Sequence, residues 1–446
     1  MRAWALALAV CGLIGVSRAF AATWLFLDEP PNADHRRELL AAGARVRTVS
    51  WWFNAISVDV GASQHASLRD LSFNADLLPV GVITRRWLVD AVAAAPILNV
   101  GEAEDQRRQI AVDRLHDMGY TGRGVRVGML DTGFLLTHQA FADVDVAAEW
   151  DFIHDDGVVA DEPGQDDPGE AWHGTQTFSV MAADLPGELI GVAPRATFYL
   201  AKTEDVTRDG VFFESHVEED YWVAGLEWCV ENGCAIVNSS LGYVLDYRFP
   251  NLDGSTAIIS RAADEAAARG TLVVSAAGNT DGARPLGNSL RGRISPPADA
   301  ARALTVGGAN ADGSPWQFSG RGPTFDGRVK PDVLALAVGV AVVSPASDTS
   351  ITSNRGTSFA SPLIAGSCAL ILEAFPQATA SDLLAAFRTT ASMADAPDAR
   401  SGYGLANVAA AYEQLAEFYT PAVVPHADSL APVMWGAVKA SVATTR

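Results

Sequence analysis

From about residue 120 onward, short runs that are apolar on both faces recur along the chain: Val125–Leu130, Ala196–Ala201, Ala235–Asn238, Thr271–Ser275 and Ala303–Gly307. Runs of this kind predict strands of a parallel sheet covered on both sides, since an exposed face would require alternation with polar residues. Longer stretches compatible with a helix lie between and after them, at Gly174–Asp184, Val217–Glu231, Thr256–Arg269 and Ser358–Phe375, with Ala380–Phe387 and Leu405–Leu415 closing the series. Strand and helix in alternation predict an α/β domain with a doubly wound, mostly parallel sheet flanked by helices. The segment 22–100 reads differently. Trp24–Leu27 and the partly alternating Ala55–Val60 predict strands, and His65–Leu71 and Arg85–Ala95 predict helices, together a small α+β unit.

With 446 residues, the chain has room for two domains and appendages. Its start has a character of its own. Arg2 precedes an apolar run from Ala3 to Val16, and Ala19-Phe20-Ala21 places small residues where a signal peptidase reads them. This pattern predicts a secretory signal over residues 1–21, cut between Ala21 and Ala22, because the run is too short for a bilayer span. Cys229, Cys234 and Cys368 remain after such a cut, too few for a disulfide scaffold. Cys229 and Cys234 could bridge in an oxidising compartment or stand as two buried thiols, and Cys368 falls on an apolar helix face. The final segment, 419–446, has no strong periodicity and no assigned role.

The net charge of −21 is unevenly spread: residues 1–21 carry +2 and 22–100 carry −1, leaving −22 on the remainder. Such acidity argues against nucleic acid and anionic membrane as partners. It is concentrated in Asp151–Glu170, which holds eight carboxylates and no Lys or Arg. A solvated acidic loop is the simpler expectation there. Structural calcium is the alternative, with no recognisable ligand spacing and no metal ligand assigned.

Three glycine-marked motifs carry chemistry. Asp131-Thr132-Gly133 follows the apolar run Val125–Leu130, which puts Asp131 at the C-terminal edge of a strand, where open α/β sheets gather their sites. His173-Gly174-Thr175 opens a helical stretch. His138, only seven residues after Asp131, lacks a glycine shoulder and reads as structural. Gly356-Thr357-Ser358-Phe359-Ala360-Ser361-Pro362 sets a serine at a helix start, where free N–H groups favour developing negative charge, with Pro362 placed in the first turn. An acid, a base and a nucleophile in that chain order are the parts of a serine protease; the Gly-x-Ser-x-Gly pattern of α/β-hydrolases is absent. Ala276-Ala277-Gly278-Asn279 ends another strand and can present an amide to an oxyanion.

Together with Asn238-Ser239-Ser240-Leu241-Gly242 and Phe318-Ser319-Gly320-Arg321-Gly322-Pro323, these motifs resemble the subtilisin-like serine proteases over roughly residues 107–416. The resemblance implies a catalytic domain over 101–418 with Asp131, His173 and Ser358 as triad and Asn279 as oxyanion donor. It implies Ser240, Leu241 and Gly242 as an edge strand that pairs with substrate, with Ala277 and Gly278 also at the substrate. It further implies that 22–100 is an inhibitory propeptide, that peptides or proteins are the substrates, that no cofactor is needed for the chemistry, and that the product is a secreted endopeptidase. A narrow-specificity processing protease and a catalytically silent peptide binder are the alternatives. Two departures stand out: Gly320 where a second serine is commoner, and Val333-Leu334-Ala335-Leu336-Ala337 in place of an Ala-Pro-Gly turn.

Overall fold

A computed structural model describes residues 20–61, 68, 71–73, 75–80, 103–208, 211–212, 217–244, 247–279, 290 and 292–422. The chain divides into two compact units, residues 1–83 with 215–220, and residues 84–214 with 221–446. The proposed signal segment up to residue 19, the helix expected over Arg85–Ala95, most of His65–Leu71 and the tail from residue 423 lie outside the described residues.

The first unit is an antiparallel sheet with a helix. Strands β1 (Phe20–Leu27), β2 (Arg45–Ser50), β3 (Ala55–Gly61) and β4 (Ala75–Val80) stand in the order β2-β3-β1-β4. Helix α1 (Ala33–Ala41) starts where the Asn32 side chain accepts the Asp34 and His35 amides, satisfying donors that a helix start leaves open. Leu25, Leu27, Leu39, Ile56, Val58 and Val60 close its core.

In the second unit, α2 (Ala103–Gln109) and α3 (Asp113–Asp117) lead to β5 (Arg126–Asp131) and β6 (Asp145–Asp151). Helix α4 (Trp172–Ala182), the short pair β7 (Asp184–Leu185) and β8 (Leu189–Ile190), and β9 (Thr197–Lys202) follow. The short pair β10 (Thr207–Arg208) and β11 (Val211–Phe212) precedes α5 (Val217–Glu231), β12 (Ile236–Ser239), α6 (Ile258–Ala268) and β13 (Leu272–Ala276). Then come β14 (Leu304–Ala309), β15 (Val333–Leu336), the hairpin β16 (Val338–Val343) and β17 (Ile351–Arg355), and helices α7 (Thr357–Ala374), α8 (Ala380–Thr390) and α9 (Val408–Ala416).

Seven strands form one sheet in the order β15-β14-β13-β12-β5-β9-β6, every neighbouring pair parallel. From β5 the chain runs to the edge strand β6, returns to β9 between the two, then crosses to β12 on the other side of β5 and winds outward to β15, so the strand order reverses between β5 and β12. A crevice opens at the C-terminal ends of the strands at such a reversal. The expected strands are all present and all parallel. Their burial explains why they read as apolar throughout: every residue of β12, β13, β14 and β15 is buried. The edge strand β6 did not announce itself, because Asp145, Glu149 and Asp151 make it look like loop.

Helix α7 is the centre of the core. It packs on β12 to β15 and on α4, and all but one of its residues are buried. Among the described residues it is the one helix long and apolar enough to cross a membrane, yet 94% of it is buried inside the fold, which makes it a core helix. Gly356 begins it at φ +146°, a conformation open to glycine alone. Pro362 lies a turn further in than the sequence suggested. Its ring nitrogen cannot donate to the Ser358 carbonyl, and the Ser240 hydroxyl takes that place, donating to the Ser358 carbonyl at 2.7 Å. Cys229 and Cys234 are buried free thiols, as is Cys368. Burial, then the hydrogen bond with Cys234, pushes the Cys229 thiol far up, which keeps it unreactive.

The run Val333-Leu334-Ala335-Leu336-Ala337 forms β15 over its first four residues, an outer strand of the main sheet in place of a turn. If α7 is the core helix described, Leu370→Ala should cost about 2–5 kcal/mol of stability. The denaturant midpoint of the full chain carrying Ser358→Ala, which prevents self-digestion, measures it.

Candidate active site

Asp131 ends β5 with its carboxylate buried. The Thr132 amide donates to Oδ1 at 2.8 Å and the Thr177 hydroxyl to Oδ2 at 2.9 Å. His173, in the first turn of α4, places Nδ1 2.6 Å from Asp131 Oδ1. The two segments meet through glycine: a Cβ on Gly174 would lie 2.1 Å from the Gly133 carbonyl oxygen and 3.0 Å from the Asp131 Cβ. Gly133 itself sits at φ +120° against the Val159 carbonyl. The shoulders of both motifs are therefore spaces in which backbone meets backbone. Thr177 escaped sequence reasoning; it lies one turn beyond His173 on the same helix face and holds the carboxylate oxygen that the imidazole does not.

Burial would lower the His173 pKa, but the charge of Asp131 and the hydrogen bond to it outweigh burial and hold the imidazole above its ordinary value. His138 is elsewhere engaged: Nε2 lies 3.0 Å from the Ser350 carbonyl, and Nδ1 accepts the Ala140 amide at 3.1 Å. Its structural reading agrees with these contacts.

Ser358 is the second residue of α7 and is 7% exposed. Its hydroxyl donates to the Ser240 carbonyl at 3.1 Å. The His173 ring stands 6.1 Å, centroid to centroid, from the ring of the next residue, Phe359, so the imidazole is carried over the first turn of α7. Asn279 is oriented by the residue before the serine: its Oδ1 accepts the Thr357 amide at 2.9 Å and the Thr357 hydroxyl at 3.0 Å. That fixes the amide, because with the oxygen committed to Thr357 only the NH₂ remains to donate elsewhere.

Ser240, Leu241 and Gly242 continue past the end of β12, and Ala277 and Gly278 continue past the end of β13. Ser240 is tied down on both sides, by the Asn238 amide at 3.0 Å and by the Ser358 carbonyl. The two runs converge on one side chain that the motifs did not reveal: a Cβ on Gly242 would lie 2.2 Å, and one on Gly278 2.7 Å, from Ser295 Oγ. Nearby, Gly320 has its own reason. A Cβ there would lie 2.3 Å from the Ala277 carbonyl oxygen, so a serine would collide with the backbone of this run.

A carboxylate at a strand end, an imidazole and a serine each at a helix start, in that chain order, are the candidate parts of a serine-type endopeptidase, a hydrolase of peptide bonds. The comparisons with known proteins agree. The subtilase family model matches residues 122–404, and the chain belongs to that family. It is 31% identical over 304 residues to subtilisin DY of Bacillus licheniformis, covering 68% of this chain and 96% of that one. It is 31% identical over 262 residues to subtilisin Savinase of Lederbergia lenta, covering 58% of this chain and 81% of the other. The solved structure of fervidolysin from Fervidobacterium pennivorans, a keratinolytic enzyme related to subtilisin, matches with a TM-score of 0.64 and 20% identity over 89% of this chain and 61% of that one. The prenylagaramide maturation protease PagA matches with a TM-score of 0.52 and 20% identity over 68% and 98%. At such identities the structural matches speak for the shared fold.

Subtilases need no cofactor for catalysis, and some bind calcium. Among the described residues, Asp151, His154 and Asp166 bring donor atoms within 4.8 Å of one another. They do not fit a calcium ion, because the ammonium of Lys202 already bonds both carboxylates. The loop is solvated at Asp155, Gly157, Val158 and residues 163–165, while the Asp151 and Asp166 side chains are buried against Lys202.

The Gly174 contact leaves no room for a methyl group without moving the imidazole. Gly174→Ala should lower kcat by about 10²-fold or more, the cost of a misplacement near 1 Å, with a far smaller change in KM. Steady-state kinetics on a chromogenic peptide measure both, and an unchanged kcat would show that the contact yields.

Proposed function

We propose that this subtilase is a secreted endopeptidase, made as a precursor, in which Asp131, His173 and Ser358 form the triad and Asn279 donates to the oxyanion. The observation that carries the reading is the 2.6 Å bond between a fully buried Asp131 and His173, poised over the helix start that bears Ser358. A buried carboxylate on Nδ1 selects the tautomer whose Nε2 can accept a proton.

Ser358 turns its hydroxyl from the Ser240 carbonyl toward His173, Nε2 takes the proton, and Oγ attacks the substrate carbonyl. The oxyanion that forms meets the Asn279 NH₂, directed by Thr357, and the Ser358 amide at the start of α7. His173 then gives its proton to the leaving amine. Water repeats the sequence on the acyl-enzyme. Ser240–Gly242 on one side and Ala277–Gly278 on the other would hold the substrate backbone as an added strand. A peptide binder without activity is not favoured, since each position the chemistry needs carries a competent side chain.

In this reading residues 1–21 are a signal peptide and 22–100 an inhibitory propeptide. Support comes from the separate compact unit over residues 1–83 and from a family match that begins only at residue 122. Ser358→Ala should abolish peptidase activity and fluorophosphonate labelling and leave the precursor uncut. In the active enzyme, mass spectrometry should find a mature N-terminus between Pro96 and Gln106. Full activity in Ser358→Ala would sink the assignment. Asn279→Ala should lower kcat by about 10²–10³, the range known for losing one such donor in a subtilisin.

The raised pKa of His173 sets the acid limb of activity. A base must be unprotonated, and a pKa above the ordinary 6.5 keeps the imidazole protonated to higher pH. The acid limb of kcat/KM should therefore have its midpoint above pH 6.5. Asp131→Asn should shift that midpoint down and reduce kcat by about 10⁴. A pH–rate profile of both proteins decides it.

A further inference from the structure

The loop between β6 and α4 presents an electrostatic problem. It carries eight carboxylates and no Lys or Arg between Asp151 and Glu170, and it leads directly into the helix that bears His173. Drawing such a loop against a buried aspartate requires positive charge from elsewhere. The structure supplies it from the neighbouring strand. Lys202, the last residue of β9, is fully buried, and in the sheet register it lies beside Asp131 on one side and Asp151 on the other. Its Nζ is 3.2 Å from Asp151 Oδ2 and closer still to Asp166 Oδ1. His154 Nδ1 completes the cluster at 3.1 Å from Asp151 Oδ2 and 3.7 Å from Asp166 Oδ1.

From Lys202 a continuous set of bonds runs to the catalytic helix. Asp166 Oδ2 accepts the Glu162 amide at 2.8 Å. The adjacent Asp161 accepts the Gly169 and Ala171 amides, each at 2.7 Å. Ala171 is the residue before α4, and its carbonyl accepts the Thr175 amide and hydroxyl at 3.1 and 2.7 Å. The same loop fixes the acid side of the pair, because the Phe134 amide donates to the Val159 carbonyl at 2.7 Å. Asp151 anchors the loop's beginning by accepting the Ile153 and His154 amides at 2.7 and 3.1 Å.

We propose that Lys202 stands in for a bound metal ion in this loop: its ammonium gathers Asp151 and Asp166, excludes calcium from them, and so positions His173. Two observations favour an internal cation over a metal. The carboxylate oxygens that would ligate a metal are the ones the ammonium already bonds, and a divalent ion beside that ammonium would be repelled. The ammonium also stays charged. Burial works to lower its pKa, but the hydrogen bond with Asp166 and the charges of Asp151, Asp166 and Glu170 outweigh it and raise it above the ordinary lysine value. Lys202 touches no reacting atom and is a positioning residue.

The inference rests on the assignment of His173 and has its own test. Lys202→Met should lower kcat by about 10-fold to 10²-fold with KM within about 3-fold, because a loosened perch for the base impairs chemistry more than binding. In the full chain carrying Ser358→Ala, the same change should lower the melting temperature by roughly 5–15 °C. Calcium at about a hundred times its Kd should then recover part of that loss, since the two carboxylates and His154 are left with a place for it. Adding Asp166→Asn to that variant should remove the recovery. In the chain with Lys202 intact, calcium should shift the melting temperature equally with and without Asp166→Asn. Unchanged kcat in Lys202→Met overturns the proposal, as does a calcium shift that Asp166→Asn abolishes while Lys202 is present. Should Lys202→Met not accumulate, Asp166→Asn alone carries the kinetic test: kcat falls and KM holds, or the proposal fails. Fluorophosphonate labelling separates the two readings. Unlabelled wild-type Ser358 would defeat the triad assignment, whereas a labelled Lys202→Met enzyme with normal kcat defeats only the role of the lysine.

Discussion

The site depends on one close approach, the first turn of α4 against the end of β5. Gly174 and the Gly133 carbonyl meet with no room for a side chain between them, and only this nearness lets Asp131 and His173 share a 2.6 Å bond. The sheet makes the approach possible by reversing its strand order beside β5. Helix α4 is then free to descend on the strand end from one side while α7 and the ends of β12 and β13 close in from the other. The proposed catalytic groups, scattered across more than two hundred residues of sequence, need few loops to meet, because each rides on the terminus of a rigid element.

The positions that chemistry requires were legible for the same reason. Backbone contact demands glycine at Gly133 and Gly174, and a positive φ demands it at Gly356, so glycines flank the proposed acid, base and nucleophile in the sequence itself. Strands buried on both faces read as apolar runs, and the helices expected from residue 174 onward fell within a few residues of their observed limits, whereas α1, α2 and α3 were not expected. What stayed hidden was whatever acts through a partner distant in sequence. A lone lysine at a strand end says nothing until Asp151 and Asp166 are seen around it. Thr177 looks like any helix threonine until its hydroxyl is found on Asp131. Ser295 is anonymous until two glycines are seen to leave space for it. The acidic edge strand β6 and the polar strand β17 lacked apolar periodicity, being partly exposed. In the acidic loop local composition reported repulsion, while the compensating charge lay on a strand that follows some thirty residues later.

Pro362 shows how a local defect becomes a tether. A proline inside a helix normally leaves a carbonyl without its partner. Here that carbonyl belongs to Ser358, and the Ser240 hydroxyl takes it up while the Ser240 carbonyl receives the Ser358 hydroxyl. The nucleophile and the run proposed to hold substrate are thereby bound to each other by a reciprocal pair. A regular helix would have satisfied that carbonyl internally and left the two runs joined by the Ser358 hydroxyl without its reciprocal bond.

The burial of α7 has a consequence for how this enzyme dies. The proposed nucleophile is the second residue of the helix that fills the core, so opening that helix opens the centre of the fold. Molecules that unfold become exposed chains, and folded neighbours can cut exposed chains. When cleavage of an opened chain outpaces its refolding, lifetime is governed by the height of the unfolding barrier more than by the depth of the folded well.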